Sequence, residues 1–310
     1  MSSQPLDVLL CAKGETQWRD ALARELPEVR LHVWPEAPGV VDFAIVWRPP
    51  PQMFERVRVR RAIFNLGAGV DALLALPTLP RDVPVVRLED AGMAIQMAEY
   101  VTLAVLRAYR EQLAYARAQR EERWEPRPRI RKETFGIGLL GLGVLGQSVA
   151  AALRVFDFPL FGWSRTPKCL EGVTTFDGPS GLRDMLVRCR VLVLLIPATP
   201  QTRHLLDRKM LSLLPAGAHL VNVSRGALVV EQDLLALLDE GHLASATLDV
   251  FDTEPLPAGH RFWHHPGIVL TPHVSAATLV EESAGQVAGK LRAMMRNLPV
   301  SGVVDPSRGY

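Results

Sequence analysis

The chain has 310 residues, 48% of them hydrophobic and 22% charged, with a formal net charge of +2. That length allows about two domains, each able to bury a core, and the composition is that of a soluble globular protein. A nearly balanced charge gives no general case for a nucleic acid or membrane partner, and no apolar run is long enough to span a bilayer.

Cys11, Cys169 and Cys189 are too few and too scattered for a disulfide framework or a zinc site. Reduced thiols are expected, and with no secretory signal after Met1-Ser-Ser-Gln-Pro5 a cytoplasmic setting. The Arg-rich stretches 56–61 and 117–132 read as solvated faces or loops.

From the amino end, short apolar runs alternate with amphipathic stretches. Residues 7–11, 29–34, 43–47, 62–65 and 85–88 read as strands and 17–26 as a helix. Such βα alternation implies a small parallel sheet covered by helices. Pro49-Pro50-Pro51 forces the chain out of the sheet after Ile45-Val46-Trp47-Arg48. Asn65-Leu-Gly-Ala68-Gly69-Val-Asp71 follows a strand. Its main-chain N–H groups form either a carboxylate cradle or a plain βα turn. Over 93–119 a helical period persists, with Met97, Val101, Ala104, Val105, Ala108 and Leu113 on one face. That length suits a helix crossing between domains or lying in a subunit interface. Residues 120–132, with Pro126 and Pro128 around an isolated Trp124, form a linker or an arm reaching a partner.

The sharpest motif comes next. Residues 135–140 are apolar, 147–155 are helix formers, and between them lies Gly141-Leu-Gly143-Val144-Leu145-Gly146. G-x-G-x-x-G between a buried strand and a helix is the dinucleotide fingerprint. Gly141 permits the tight turn, Gly143 lets the main chain approach a pyrophosphate, and Gly146 lets helix and strand pack closely. Val144 and Leu145 open the helix, whose N-terminus faces the phosphates. After the second strand, at 159–163, NAD-selective folds place an acid against the ribose 2′-hydroxyl. Here the chain reads Ser164-Arg165-Thr166-Pro-Lys168, with no acid. Arg165 can pair with a 2′-phosphate while Ser164, Thr166 and Lys168 add hydrogen bonds or charge, so NADPH is expected in preference to NADH.

Further strands are expected at 191–196, ending at Pro197 on the cofactor side, and at 218–223, 244–250 and 268–270, with a helix at 231–240. A helix over about 279–297 returns to the first domain. Three late strand ends carry candidate catalytic groups: Arg225, Glu254 and His273. Ligands of parallel sheets gather at the carboxyl ends of strands, and this grouping suits reduction of a 2-keto acid. Arg225 holds the substrate carboxylate or carbonyl oxygen in its fork. His273 is the general acid for the alkoxide left by hydride transfer, and Glu254 orients its imidazole. Ser224 and Asp249 are assigned to the cofactor side, Asp249 as an acceptor for the nicotinamide amide.

Gly141-Leu-Gly-Val-Leu-Gly146, Asn222-Val-Ser-Arg-Gly226, Leu248-Asp-Val-Phe-Asp-Thr-Glu-Pro-Leu-Pro257 and Thr271-Pro-His-Val274 resemble the D-isomer specific 2-hydroxyacid dehydrogenases. Ile45-Val-Trp-Arg-Pro-Pro50, Leu66-Gly-Ala-Gly-Val-Asp71, Arg87-Leu-Glu-Asp90, Arg123-Trp-Glu-Pro126, Trp163-Ser-Arg-Thr166 and Arg308-Gly-Tyr310 narrow the resemblance to the bacterial glyoxylate/hydroxypyruvate reductases. It runs nearly the full length. It implies an α/β homodimer whose subunits have two doubly wound parallel-sheet domains, Rossmann-like and flavodoxin-like, with an interdomain active-site cleft. The expected division is a substrate-binding domain of 1–98 plus 276–310 and a dinucleotide-binding domain of 99–275, with a dimerisation arm at about 110–132. The implied reactions reduce glyoxylate to glycolate and hydroxypyruvate to D-glycerate with NADPH, with Arg225, Glu254 and His273 as the catalytic set. The Ala68–Gly69 main chain would bind the substrate carboxylate, Trp47 would wall the pocket, and Trp124 would enter the partner's site. Arg48 and Ser224 stand where relatives can carry other residues, so side-chain preference stays open. The alternatives are a reductase of larger 2-keto acids, such as phenylpyruvate or 2-ketobutyrate, and a non-catalytic dinucleotide-sensing protein. An intact Arg225, Glu254 and His273 argue against the second.

Overall fold

The structure, a computed structural model, describes residues 5–305 and 307–309; residues 1–4, at the start of the chain, and Tyr310 of the terminal motif lie outside them. Two compact units are present, one formed by 1–93 with 278–310 and the other by 94–277.

In the first unit β1 (Asp7–Cys11), β2 (Arg30–Val33), β3 (Val40–Val46), β4 (Arg58–Asn65) and β5 (Val85–Arg87) form one sheet in the order β2-β1-β3-β4-β5. Every pairing is parallel. Val8, Leu9 and Leu10 are buried in succession, because a strand covered on both faces needs apolar side chains in both directions. The helix Glu15–Glu25 buries Trp18, Ala21 and Leu22, an i, i+3, i+4 stripe. It packs with the helix Val280–Met295, which buries Ala284, Val287, Ala288 and Leu291. Each fully covered leucine contributes about 2 kcal/mol. The rim pairs Arg24–Glu281 and Arg292–Glu28, both 2.6 Å, are exposed and add little beyond holding register.

β4 starts four residues before the strand expected from the sequence. β5 pairs only with Ile63–Asn65, so the 58–61 segment is open on that side, and Arg58, Arg60 and Arg61 reach water. The arginine run that hides a strand in the sequence is thus its solvated end.

In the second unit β6 (Ile137–Leu140), β7 (Leu160–Ser164), β8 (Thr174–Asp177), β9 (Val191–Leu194), β10 (Ala218–Asn222), β11 (Leu243–Leu248) and β12 (Ile268–Leu270) form a seven-stranded sheet in the order β12-β11-β10-β9-β6-β7-β8. All its pairs are parallel. Alternate side chains feed two cores. Ile137, Leu139, Val191, Val193 and Val221 meet the helices Met93–Tyr109 and Val144–Arg154. Leu192, Leu194, Leu220 and Leu248 meet Gly178–Leu186 and Glu231–Asp239. The direction of winding reverses between β6 and β9, a topological switch point where such sheets take ligands.

The helix expected over 93–119 is two helices. The first ends at Tyr109, Glu111 turns through a left-handed backbone at φ 50°, and the second runs Gln112–Arg120. Met97, Val101, Ala104, Val105 and Ala108 are buried while Leu113 is only half-buried, so the core ends where the first helix does. Beyond it Arg127 folds back: its Nε lies 2.7 Å from Glu111, and its N–H donates to the Tyr115 hydroxyl at 3.1 Å. Trp124 between them is 100% exposed. Among the described residues no helix is long and apolar enough to cross a membrane.

Candidate active site

The fingerprint turn is built as its spacing requires. Gly141 has φ +120°, and a Cβ there would lie 2.7 Å from the Leu195 carbonyl oxygen. At Gly146 a Cβ would lie 2.0 Å from the Gly141 carbonyl oxygen, so no side chain fits between helix and turn. At Gly143 nothing lies within 4 Å of the Cβ position. That open approach in front of the first turn of Val144–Arg154 is a surface a pyrophosphate fits, with Val144 and Leu145 at the helix start.

The turn after β7 is more occupied than its sequence suggests. Ser164 is buried, and its hydroxyl donates to the Thr166 carbonyl at 2.7 Å, closing the turn on itself. Lys168 Nζ donates to the Leu142 carbonyl at 2.8 Å, bracing the fingerprint. Arg165 and Thr166 are exposed. Within the expected 2′-phosphate set, Ser164 and Lys168 thus also brace the turn itself.

β10, β11 and β12 are neighbours in the sheet, and Arg225, Glu254 and His273 follow their carboxyl ends in that order. Asn222 is buried; its Nδ2 donates to the Arg225 carbonyl at 2.9 Å, and its Oδ1 accepts from Ser224 N–H at 3.2 Å, which locks the arginine's turn. Arg225 Nη1 donates to the Ser224 carbonyl at 2.6 Å. The Ser224 hydroxyl donates to the Ile196 carbonyl beside Pro197, so it ties the ends of β9 and β10 together. Gly226 presses against the next loop: a Cβ there would lie 1.9 Å from the Phe251 carbonyl carbon. Arg225 is thereby seated next to the loop that delivers Glu254.

Glu254 and His273 meet directly. The imidazole Nδ1 donates to Glu254 Oε2 at 2.8 Å, and the other carboxylate oxygen accepts from Phe251 N–H at 3.2 Å. With Nδ1 so engaged, Nε2 is the nitrogen left for other chemistry. The ring is exposed, with 38% of its side chain accessible.

His273 has φ 57°, a left-handed backbone that costs a non-glycine residue about 1 kcal/mol or more. Asp249 holds it there. The Asp249 carbonyl accepts from His273 N–H at 2.8 Å, and the carboxylate accepts from Val274 N–H and Ser275 N–H, both at 2.8 Å, and from the Thr271 hydroxyl at 2.5 Å. Asp249 is 0% exposed. These bonds make Asp249 the brace of the histidine's own turn. Thr271 and Tyr100, whose oxygens lie 2.5 Å apart, extend this brace and went unread in the sequence. Thr271 sits two residues before His273, a usable signal; Tyr100 lies on a distant helix and gives none.

In the first unit Asn65, buried at 3% exposure, donates from Nδ2 to the Gly67 and Gly69 carbonyls at 3.0 and 2.9 Å. The Thr278 hydroxyl donates to the Leu66 carbonyl at 3.2 Å. The turn's oxygens are thus drawn inward around Ala68 and Gly69. Trp47 covers Gly67 so closely that a Cβ there would lie 2.3 Å from the ring.

The NAD-binding-domain profile of the D-isomer specific 2-hydroxyacid dehydrogenases matches residues 102–275. Glyoxylate/hydroxypyruvate reductase A of Yersinia enterocolitica is 43% identical over 300 residues, covering 95% of this chain and 96% of that relative. A D-isomer specific 2-hydroxyacid dehydrogenase of Xanthobacter autotrophicus, solved with NADPH and MES, superimposes with TM-score 0.94 at 39% identity over 99% of this chain and 100% of its own. The NADPH-dependent glyoxylate/hydroxypyruvate reductase of Sinorhizobium meliloti, solved with NADP and sulfate, gives 0.92 at 34% identity over 98% and 100%. The chain belongs to the D-isomer specific 2-hydroxyacid dehydrogenases and is an NAD(P)-dependent oxidoreductase. Within the family it is of the glyoxylate/hydroxypyruvate reductase A type.

Proposed function

We propose that the protein reduces small 2-keto acids with NADPH, taking glyoxylate to glycolate and hydroxypyruvate to D-glycerate. The observation that carries this reading is the 2.8 Å bond from His273 Nδ1 to Glu254 Oε2 at the end of strands adjoining that of Arg225. It leaves one imidazole nitrogen for proton delivery and fixes the ring that delivers it. A bound nicotinamide would supply the hydride that reduces the carbonyl carbon. Arg225 binds the carbonyl oxygen or carboxylate through its fork and stabilises the negative charge that grows on that oxygen. His273 protonates it from Nε2, and Glu254 balances the imidazolium and holds its plane. Asp249 positions the histidine through its turn.

Gly141, Gly143, Val144, Leu145 and Gly146 hold the pyrophosphate, and Pro197 and Ser224 line the cofactor side. Arg165 and Thr166 receive the 2′-phosphate, while Ser164 and Lys168 shape the turn that presents them. Relatives at 39% and 34% identity, solved with NADPH and with NADP respectively, support the choice of dinucleotide. In the first unit the Ala68 and Gly69 N–H groups receive the substrate carboxylate, and Trp47 limits the size of the rest of the substrate. The protein acts as a homodimer in which the arm carries Trp124 to the partner.

The test follows NADPH absorbance with glyoxylate, hydroxypyruvate, 2-ketobutyrate and phenylpyruvate. Turnover of the first two with the highest kcat/KM is expected. Turnover of none would establish a binding protein, and a phenylpyruvate optimum would establish a reductase of bulky keto acids.

A further inference from the structure

The first unit carries a cavity of about 370 Å³ at the carboxyl ends of β1, β2 and β3. Its sheet order reverses between β1 and β3, the crevice where open parallel sheets take ligands, and its volume lies in the range of small-molecule sites. Lys13 and Cys11 from the end of β1, Trp34 after β2, and Trp47 and Arg48 after β3 line it.

The charge of this lining is uncommitted. Among the described residues neither Lys13 nor Arg48 has an ion-pair partner or a side-chain hydrogen bond. Glu15 is the one acid in the lining, so the two cations keep a net positive charge. Arg48 is also held in a left-handed backbone, φ 47°, a conformation that costs about 1 kcal/mol or more outside glycine and collects at functional positions. Its guanidinium lies 5.8 Å from the centre of the Trp47 ring. Burial pushes the Cys11 thiol up to about 11, so at neutral pH that wall is uncharged and offers no thiolate.

These features favour an anion over an aromatic guest. The Trp47 ring already has Gly67 against its edge and Arg48 over it, and Arg56 stands 5.0 Å from the centre of the Trp34 ring. The indoles are taken by guanidinium groups, while the ammonium of Lys13 and the fork of Arg48 are free for a carboxylate. Trp47 links the two features of this unit, the Asn65–Val70 turn on one side and the cationic cavity on the other.

We propose that the cavity receives a second carboxylate at the far end of the substrate, so that the substrate class includes 2-oxo dicarboxylates. A 2-keto acid whose first carboxylate sits on the Ala68 and Gly69 N–H groups runs past Trp47 and ends at Arg48 and Lys13. The inference rests on the reductase reading for its substrate.

The test compares kcat/KM for 2-oxoglutarate and its neutral counterpart 2-oxopentanoate in the wild type, Arg48→Gln and Lys13→Gln, with glyoxylate as reference. A charge-assisted hydrogen bond is worth enough to change binding about tenfold or more. The wild type is expected to prefer 2-oxoglutarate by about tenfold or more. Arg48→Gln, which keeps the backbone demand, should bring the pair to near parity and leave glyoxylate within about twofold; Lys13→Gln should lose part of the preference. A wild-type preference for 2-oxopentanoate or phenylpyruvate, or an equal loss on all substrates in Arg48→Gln, overturns the proposal. Calorimetric titration with glutarate, which has no carbonyl to reduce, separates the two readings. Arg48-dependent glutarate binding without turnover of any keto acid retains the anion cavity and discards the reductase. Turnover of glyoxylate with no glutarate binding retains the reductase and discards the cavity.

Discussion

The Tyr100 hydroxyl stands 2.5 Å from Thr271 Oγ1, and Thr271 donates onward to Asp249 Oδ1 at 2.5 Å. Through this chain the helix Met93–Tyr109 reaches the turn that holds His273 in its left-handed backbone. Tyr100→Phe removes one neutral hydrogen bond, worth about 1 kcal/mol, and should lower kcat about fivefold with KM for NADPH unchanged. Asp249→Asn puts an NH₂ group where main-chain N–H groups need an acceptor. Leaving such donors unmatched costs about 1–3 kcal/mol, and kcat should fall about tenfold to a hundredfold. Steady-state kinetics on both variants, with circular dichroism to verify the fold, checks this; wild-type kcat in Asp249→Asn would remove the brace.

His273→Ala should reduce kcat by about 10²–10⁴, the contribution of positioned acid catalysis, while NADPH still binds. Glu254→Gln keeps a hydrogen bond to the ring without its charge and should fall between that variant and the wild type. Arg225→Ala should raise KM and lower kcat together, because its fork binds the ground-state substrate and binds the growing oxyanion more strongly still. Fluorescence titration with NADPH, run beside turnover, distinguishes these outcomes.

Arg165 and Lys168 should behave differently toward the two dinucleotides. Arg165→Ala should raise KM for NADPH about tenfold, the value of a charge-assisted pair with phosphate, and leave NADH nearly unchanged. Lys168 holds the Leu142 carbonyl, so Lys168→Ala should weaken both dinucleotides. Equal response of NADPH and NADH to Arg165→Ala would move 2′-phosphate recognition elsewhere.

His219 makes stability pH-dependent. It lies in β10 with Nδ1 2.7 Å from Ser245 Oγ, and burial, then the nearby Arg190 charge, depresses its pKa from 6.5 to about 4. A base with a depressed folded pKa stays neutral in the fold while the unfolded chain takes up a proton, so its stabilisation is complete above about 6.5 and is lost as pH falls toward about 4. Each pH unit in that window is worth about 1.4 kcal/mol. His219→Gln should therefore reduce the loss of unfolding free energy between pH 7 and pH 5 by on the order of 2 kcal/mol, measured by denaturant titration at both pH values.

Trp124 is wholly exposed on a segment pinned by Arg127 to Glu111 and Tyr115. If a second copy covers it, sedimentation of the wild type gives twice the monomer mass, and Trp124→Ala weakens the association or lowers kcat in a dimer that persists. A monomeric wild type would end that reading.

Much of this molecule is legible in the sequence where one local rule decides. The buried strand before Gly141, the glycine that opens the turn and the late Arg, Glu and His needed only spacing and strand ends to be placed. What was not legible shares a cause: neighbours distant in sequence add to what a residue does. Asp249 sits in a motif that reads as cofactor-facing, yet the N–H groups of Val274 and Ser275 claim its carboxylate. Ser164 and Lys168 read as phosphate ligands, and each also bonds a carbonyl of its own fold, which spacing does not reveal. The helix expected over 93–119 keeps its period past the point where Glu111 breaks it, because periodicity reports which face is apolar, not where the core stops. β8 and the helix Gly178–Leu186 escaped notice because Thr174–Asp177 is a partly exposed edge strand with no apolar run.

The first unit is assembled from two segments that flank the second in sequence, with the helix Val280–Met295 packed on Glu15–Glu25. During synthesis β1–β5 emerge before residues 280–295, so the sheet lacks one of its covering helices until that later segment follows. The second unit, continuous from 94 to 277, is finished earlier. The segment that waits with an apolar face uncovered is therefore the one made first, and the continuous second unit has all its elements before the first unit does.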